Sequence, residues 1–147
     1  MFSATANAQQ FGIRLGGLQD DKGTILPAFG VQIIFNDFFA DYIYFRIVTG
    51  ADFGFHVFEI QATVMFRFPL DQTGKLFDYF GISGGAYFQT NSSLLFGIVL
   101  RLGIEYQLTP AISVFADLSG GSAFDSKPGT HFYTEFGIGL NLKLIQR

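Results

Sequence analysis

The chemistry open to this sequence is narrow. It has two histidines and no cysteine, which excludes thiolate nucleophiles, disulfides and thiolate metal sites. His131 and Glu135, with the serines of Ser119-Gly120-Gly121-Ser122, are a loose set of nucleophile, base and acid types. Neither a nucleophile elbow that exposes a catalytic serine nor the H-E-x-x-H pair that holds zinc is present, so no catalysis is expected. His56, beside Phe55, has no supporting ligand at metal spacing and reads as an interfacial side chain; no metal or cofactor is expected. Gly120-Gly121 opens no helix and so makes no phosphate loop. What remains is charge placed in one phase: Arg14, Arg46, Arg67, Arg101 and Lys143 with Glu59, Glu105, Asp117 and Glu135, five positive against four negative.

The phase is that of β-strands. Apolar and polar residues alternate with period two in eight segments separated by turn clusters. Phe11, Ile13 and Leu15 oppose Gly12, Arg14 and Gly16. Ile25, Pro27, Phe29, Val31, Ile33 and Phe35 oppose Ala28, Gly30, Gln32 and Asn36. Further on, Ile43, Phe45 and Ile47 oppose Arg46, and Phe58 to Phe68 oppose Glu59, Gln61, Thr63 and Arg67. Beyond Asp71-Gln72-Thr73-Gly74-Lys75, Phe80, Ile82 and Phe88 oppose Tyr79, Ser83 and Tyr87. The last three segments set Phe96 to Tyr106 against Arg101 and Glu105, Ile112 to Leu118 against Asp117, and Phe136 to Leu144 against Glu135 and Lys143. Ser119 to Thr130 reads as a long connection. An even strand count suits a single closed, up-and-down antiparallel barrel.

Composition decides which face is inside. The 147 residues are 49% hydrophobic and 18% aromatic with a mean hydropathy of +0.34, and only 14% are charged, where a soluble domain carries about 25%. No apolar run reaches the roughly 18 residues of a transmembrane helix, which leaves strands as the way to cross lipid. The polar face is rich in glycine, as a narrow filled interior requires. The apolar face is bulky and carries no charge in this assignment, as a lipid wall requires. Phe35, Phe38, Phe39, Phe66, Phe68, Phe77, Phe80 and Tyr106 sit near strand ends, where an interfacial girdle belongs. The nine charges then face the lumen, and since an unpaired buried charge costs several kcal/mol, they are expected to form an ion-pair network that fixes register and plugs the barrel. Which carboxylate meets which guanidinium stays open. The net charge of −3 and the lack of a basic run exclude a nucleic-acid partner.

Ala6-Asn7-Ala8 before Gln9 has the small-x-small form of a signal-peptidase site. Residues 1–8 therefore read as the tail of an export signal, or as a flexible N-terminus, and residues 9–147 as one outer-membrane barrel domain. With its eight alternating segments, the Gln107-Leu108-Thr109-Pro110 turn and the closing run Phe136-Gly137-Ile138-Gly139-Leu140-Asn141-Leu142, the chain resembles the small OmpA/OmpX/OmpW-type outer-membrane barrels. The resemblance implies a bacterial outer-membrane location with both termini in the periplasm. The segments near Asp20, Asp52, Asn91 and Ser119 to Thr130 would face outward. Phospholipid and lipopolysaccharide would be its partners, with insertion by the barrel-assembly machinery through the segment Gly139 to Leu144. The short outward loops do not fit adhesion, and the catalytic residues of the lipid A deacylase and palmitoyltransferase barrels find no match. The expected role is structural or anchoring; the alternatives are a narrow ion or small-solute pore, a lipid-modifying enzyme, and a soluble fatty-acid carrier with the faces reversed.

Overall fold

A computed structural model describes residues 10–19, 24–35, 43–55, 57–89, 94–124 and 130–144. Eight strands follow one another: β1 (Gln10–Gln19), β2 (Ile25–Phe35), β3 (Ile43–Asp52), β4 (Val57–Pro69), β5 (Leu76–Gln89), β6 (Leu95–Gln107), β7 (Ile112–Phe124) and β8 (Thr130–Lys143). Each pairs antiparallel with the next, and β8 returns to β1, with Gln10 opposite Lys143 and Leu18 opposite Glu135. Closure leaves no sheet edge with unpaired backbone groups, the condition for a β-structure in hydrocarbon. Strands of 10 to 14 residues meet the ~9–11 residues that a tilted strand needs to span a bilayer. The ends of β1 and β8 at Gln10 and Lys143 lie with the turns after β2, β4 and β6 at one end, called here the terminal end; the other four hairpins make the far end. Residues 1–8, His56, Phe38 and Phe39, and the turns containing Asp20 and Asn91 lie outside the described residues.

The barrel has its bulk on the outside. Along β6, Leu100 is 62% and Leu102 59% exposed, while Arg101 between them is 0% exposed. An isolated arginine is among the residues least often buried in a soluble protein, and an exposed leucine wall among the least tolerated. Aromatic rings gather at both ends: Phe66 and Phe80 stack at 5.1 Å near the terminal end, and Phe58 and Phe88 meet at 6.1 Å near the far end. Isoleucine and leucine fill the band between. Glycine on the inner face makes room for large inward side chains: a Cβ on Gly103 would enter the Tyr79 ring directly across the ladder, and one on Gly137 would meet the Arg14 guanidinium.

Three sequence expectations change. Ser119-Gly120-Gly121-Ser122 is strand, not connection, because β7 runs on to Phe124. Small residues there carry the period-two pattern without looking apolar, and Gly121 is required where a Cβ would strike the β6 backbone at Ile98 and Val99. Phe77 is not part of the girdle. It falls on the inner face of β5, its ring 3.7 Å from the Arg67 guanidinium carbon. The outer wall is not free of charge either: β5 begins at Leu76, and that extension puts Asp78 in the same phase as Phe80 and Ile82.

The β4–β5 turn shows how an exposed reversal is held. Gly74 takes a positive φ of 68°, which glycine adopts at no steric cost. Asp71 Oδ1 accepts hydrogen bonds from the backbone N–H of Lys75 at 3.0 Å and Leu76 at 3.1 Å, and the Thr73 hydroxyl donates to Oδ2. The Thr73 hydroxyl, and then these N–H groups, hold the Asp71 carboxyl below the usual carboxylate range. Because the folded value is the depressed one, the turn's gain is present above the ordinary carboxylate pKa and is lost as pH falls through the lowered one. Asp71→Asn is expected to raise amide exchange at Lys75 and Leu76 near neutral pH, and to matter less in strong acid; equal exchange in both proteins at neutral pH would refute the clamp.

Candidate functional site

The inner face carries a layered interior. At mid-height Asp117 of β7 is the acceptor hub. Arg14 of β1 binds it with both terminal nitrogens, Nη2 to Oδ1 at 2.8 Å and Nη1 to Oδ2 at 3.0 Å. Arg101 of β6 donates to Oδ1 at 2.9 Å, Arg46 of β3 to Oδ2 at 3.3 Å, and the Tyr79 hydroxyl to Oδ2 at 2.8 Å. Three guanidinium groups thus converge on one carboxylate whose side chain is fully buried. The two-toothed Arg14 contact is the strong, geometrically demanding kind.

Glu135 of β8 shares the excess positive charge. Its Oε1 accepts from Arg14 and from Arg101, each at 3.2 Å, and its Oε2 accepts from Gln61 Nε2 at 2.9 Å. The same Gln61 nitrogen donates to Glu59 Oε2 at 2.6 Å, while Gln61 Oε1 accepts from Arg101 at 2.9 Å. On the terminal side, Gln32 accepts from Arg14 and Arg46 and passes a hydrogen bond at 2.7 Å to Asn141. Asn141 and Ser113 both donate to Glu105 at 2.8 Å, and Glu105 pairs with Arg67 at 2.6 Å. One connected chain therefore runs from Glu59 to Arg67 through strands that do not all neighbour one another. Glutamines and an asparagine, each both donor and acceptor, link charges too far apart to touch.

Lys143 stands outside this chain. It is exposed at the terminal rim and forms no ion pair with the network among the described residues. Its alternation phase is inward, but it is the last residue of β8, so water rather than a lumenal acid surrounds it. The network then holds Arg14, Arg46, Arg67 and Arg101 against Glu59, Glu105, Asp117 and Glu135. Asp52, also buried, is taken up locally: its carboxylate accepts the backbone N–H of Gly54 at 3.1 Å and of Val57 at 2.8 Å.

An apolar layer that the sequence reading missed lies above the charges at the far end. Leu18, Ala28 and Val57 form one buried cluster, and Tyr87, Leu95 and Val99 another. The signal was present: Leu18, Val57, Leu95 and Val99 interrupt the polar phase with apolar residues. Voids within the lumen are small, about 10 Å³ beside Glu59 and Glu135 and about 20 Å³ beside Arg46 and Arg67. Such volumes hold about one water each. Arg46 and Arg67, each with an N–H group that has no protein partner among the described residues, are among the residues that line the second of them. A wider polar mouth of about 190 Å³ opens at the terminal end, among Arg67, Gln107, Asn141 and Lys143.

No protein-family model and no curated protein matches the chain. Among solved structures it is similar to Neisserial surface protein A, with a TM-score of 0.63 at 14% identity over 92% of this chain and 95% of that one. It is similar also to the N-terminal β-barrel domain of Pseudomonas aeruginosa OprF, with a TM-score of 0.62 at 15% identity over 91% and 98%. A barrel from the de novo design of transmembrane β-barrels aligns at a TM-score of 0.52 and 11% identity over 94% and 98%. The fold is that of the small outer-membrane β-barrels. At such identities the likeness is carried by eight closed antiparallel strands. The remaining chemistry is read from this chain's own residues.

The loose hydrolytic set comprises Ser119, Ser122, Glu135 and His131. Among the described residues, Ser119 Oγ is buried with no hydrogen-bond partner. Glu135, the acid of that set, is committed to Arg14 and Arg101. The His131 side chain lies outside the described residues.

Proposed function

We propose that this chain is an integral protein of the bacterial outer membrane with a structural or anchoring role, its lumen sealed by the ion-pair network and without chemistry of its own. The observation that carries the reading is the convergence of Arg14, Arg46 and Arg101 on Asp117 across the full width of the lumen. An eight-stranded barrel has an interior only wide enough for side chains. Here those side chains bond to one another, with the apolar layer stacked above them. Phospholipid and lipopolysaccharide are the partners of the outer wall, and the barrel-assembly machinery inserts it with the terminal end in the periplasm.

The polar mouth at the terminal end is what favours a narrow pore, the second reading. It stops at Arg67 and Glu105, which bond at 2.6 Å. In planar bilayers the refolded protein is therefore expected to be silent under voltage. Steady ion-selective steps would establish the pore and remove the sealed-lumen reading.

A further inference from the structure

The outer wall is not uniformly convex. Between β5 and β8 it holds an apolar depression of about 560 Å³, within the size range of small-ligand sites. Its cause is one small residue. Ala116 stands between Ile104 and Ile138 in one register row and beside Leu102, Leu118 and Phe136 of the next. Every neighbour is longer, so the wall dips to the backbone at Ala116. Gly103 and Gly137, on the inner phase of the flanking strands, add no side chain there.

The row through Ala116 ends at Asp78, opposite Ile104. Asp78 Oδ1 is buried without a hydrogen-bond partner, and Asp78 takes part in no ion pair among the described residues. A carboxylate on an apolar wall, with one oxygen shut off from water, is unfavourable unless a cation or donor reaches it. The depression also climbs. Asp78 is two residues inside β5 from the terminal end, whereas Phe136 is seven residues inside β8. An acidic spot at the rim therefore leads into an apolar trough that rises toward mid-wall. This is the shape of an amphiphile with its head at the interface and its tail in the hydrocarbon.

We propose that this trough seats one phospholipid of the periplasmic leaflet bearing a primary amine, its ammonium donating to Asp78 Oδ2, the carboxylate oxygen that is not buried, and an acyl chain lying over Ala116. The proposal rests on the membrane reading above. A primary ammonium forms charge-assisted hydrogen bonds with a carboxylate; the quaternary ammonium of phosphatidylcholine has no N–H to give. A second copy of this chain is the poorer occupant, because a two-fold contact on this face would bring two unpartnered Asp78 carboxylates together.

The test is lipid retention. The chain is refolded into vesicles of equal phosphatidylethanolamine and phosphatidylcholine, floated to prove insertion, extracted gently, and weighed intact by native mass spectrometry. One retained phosphatidylethanolamine is expected, favoured over phosphatidylcholine by roughly tenfold or more, the scale of one hydrogen bond to a charged group. Asp78→Asn should bring the ratio near one with insertion unchanged, and Ala116→Leu should reduce retention of both lipids. A chain that floats but shows no amine selectivity, a ratio unmoved by Asp78→Asn, or a dimer mass in place of the lipid adduct overturns the proposal alone. A chain that does not float overturns the membrane reading, and the proposal with it.

Discussion

Asp117→Asn is expected to destabilise the barrel by about 3–5 kcal/mol, the cost of breaking a buried ion pair by removing one partner. The substitution keeps shape and volume but withdraws the charge that Arg14, Arg46 and Arg101 share. Glu59 and Glu135 remain, yet neither approaches Arg46 in any ion pair among the described residues, and Arg46 is almost wholly buried. The loss would be read as a lower urea midpoint of the folded barrel in lipid vesicles. Glu105→Gln is the internal control. It strands only Arg67, whose side chain is 15% exposed beside the open mouth, so water replaces part of what is lost and the shift should be clearly smaller. Equal midpoints for wild type and Asp117→Asn would mean that the network holds nothing together. The converse experiment is informative too. Replacing Arg14, Arg46, Arg101 and Asp117 together by apolar residues of matched volume should recover much of the loss, because desolvation of the charges is then removed along with their attraction.

Period-two alternation was enough to read the strands and their two faces, since a face depends only on residue parity within a strand. Depth and partner depend on more. Lys143 has the parity of Glu135 and Asn141, but depth in the barrel is set by where β8 stops, and a turn or terminus is the least patterned part of a sequence. Asp78 escapes the pattern for a related reason: β5 starts at Leu76, three residues before Tyr79, and there Phe77 on the inner phase and Asp78 on the outer one reverse the apolar and polar alternation. Ser119 to Ser122 failed for a different reason, because glycine and serine mark turns in water yet suit the crowded inner wall of a narrow barrel. The partners of Asp117 were beyond reach. Arg14 lies 103 residues away and Arg46 lies 71 away, on strands that are not neighbours of β7. Their meeting follows from barrel diameter and stagger, which parity does not encode. The apolar layer at Leu18, Val57, Leu95 and Val99 was legible in principle, since these residues hold the inward phase toward the far end of three different strands, β1, β4 and β6.

Solvent inversion itself is open to a direct measurement. Leu100 is outward, 62% exposed, and near the middle of β6, between Ile82 and Gly120 in the ladder. In a water-soluble barrel, arginine at such a position would change stability by no more than about 0.5 kcal/mol, as most surface substitutions do. In a bilayer, an arginine on the lipid face near the midplane costs about 2–4 kcal/mol, and close to the interface about 0–1. Leu100→Arg is therefore expected to lower the folding free energy in vesicles by the larger amount. Leu108→Arg, in the exposed turn that follows β6, should lower it by the smaller. The difference between the two variants carries the inference, because the residue removed and the residue introduced are the same in both, while one site lies mid-strand on the wall and the other in the turn at its edge. Two arginines equally well tolerated would place water against Leu100. The buried Arg101 beside it would then have to be explained as an ion held in a soluble core, and the exposed isoleucine and leucine band would have no solvent that suits it.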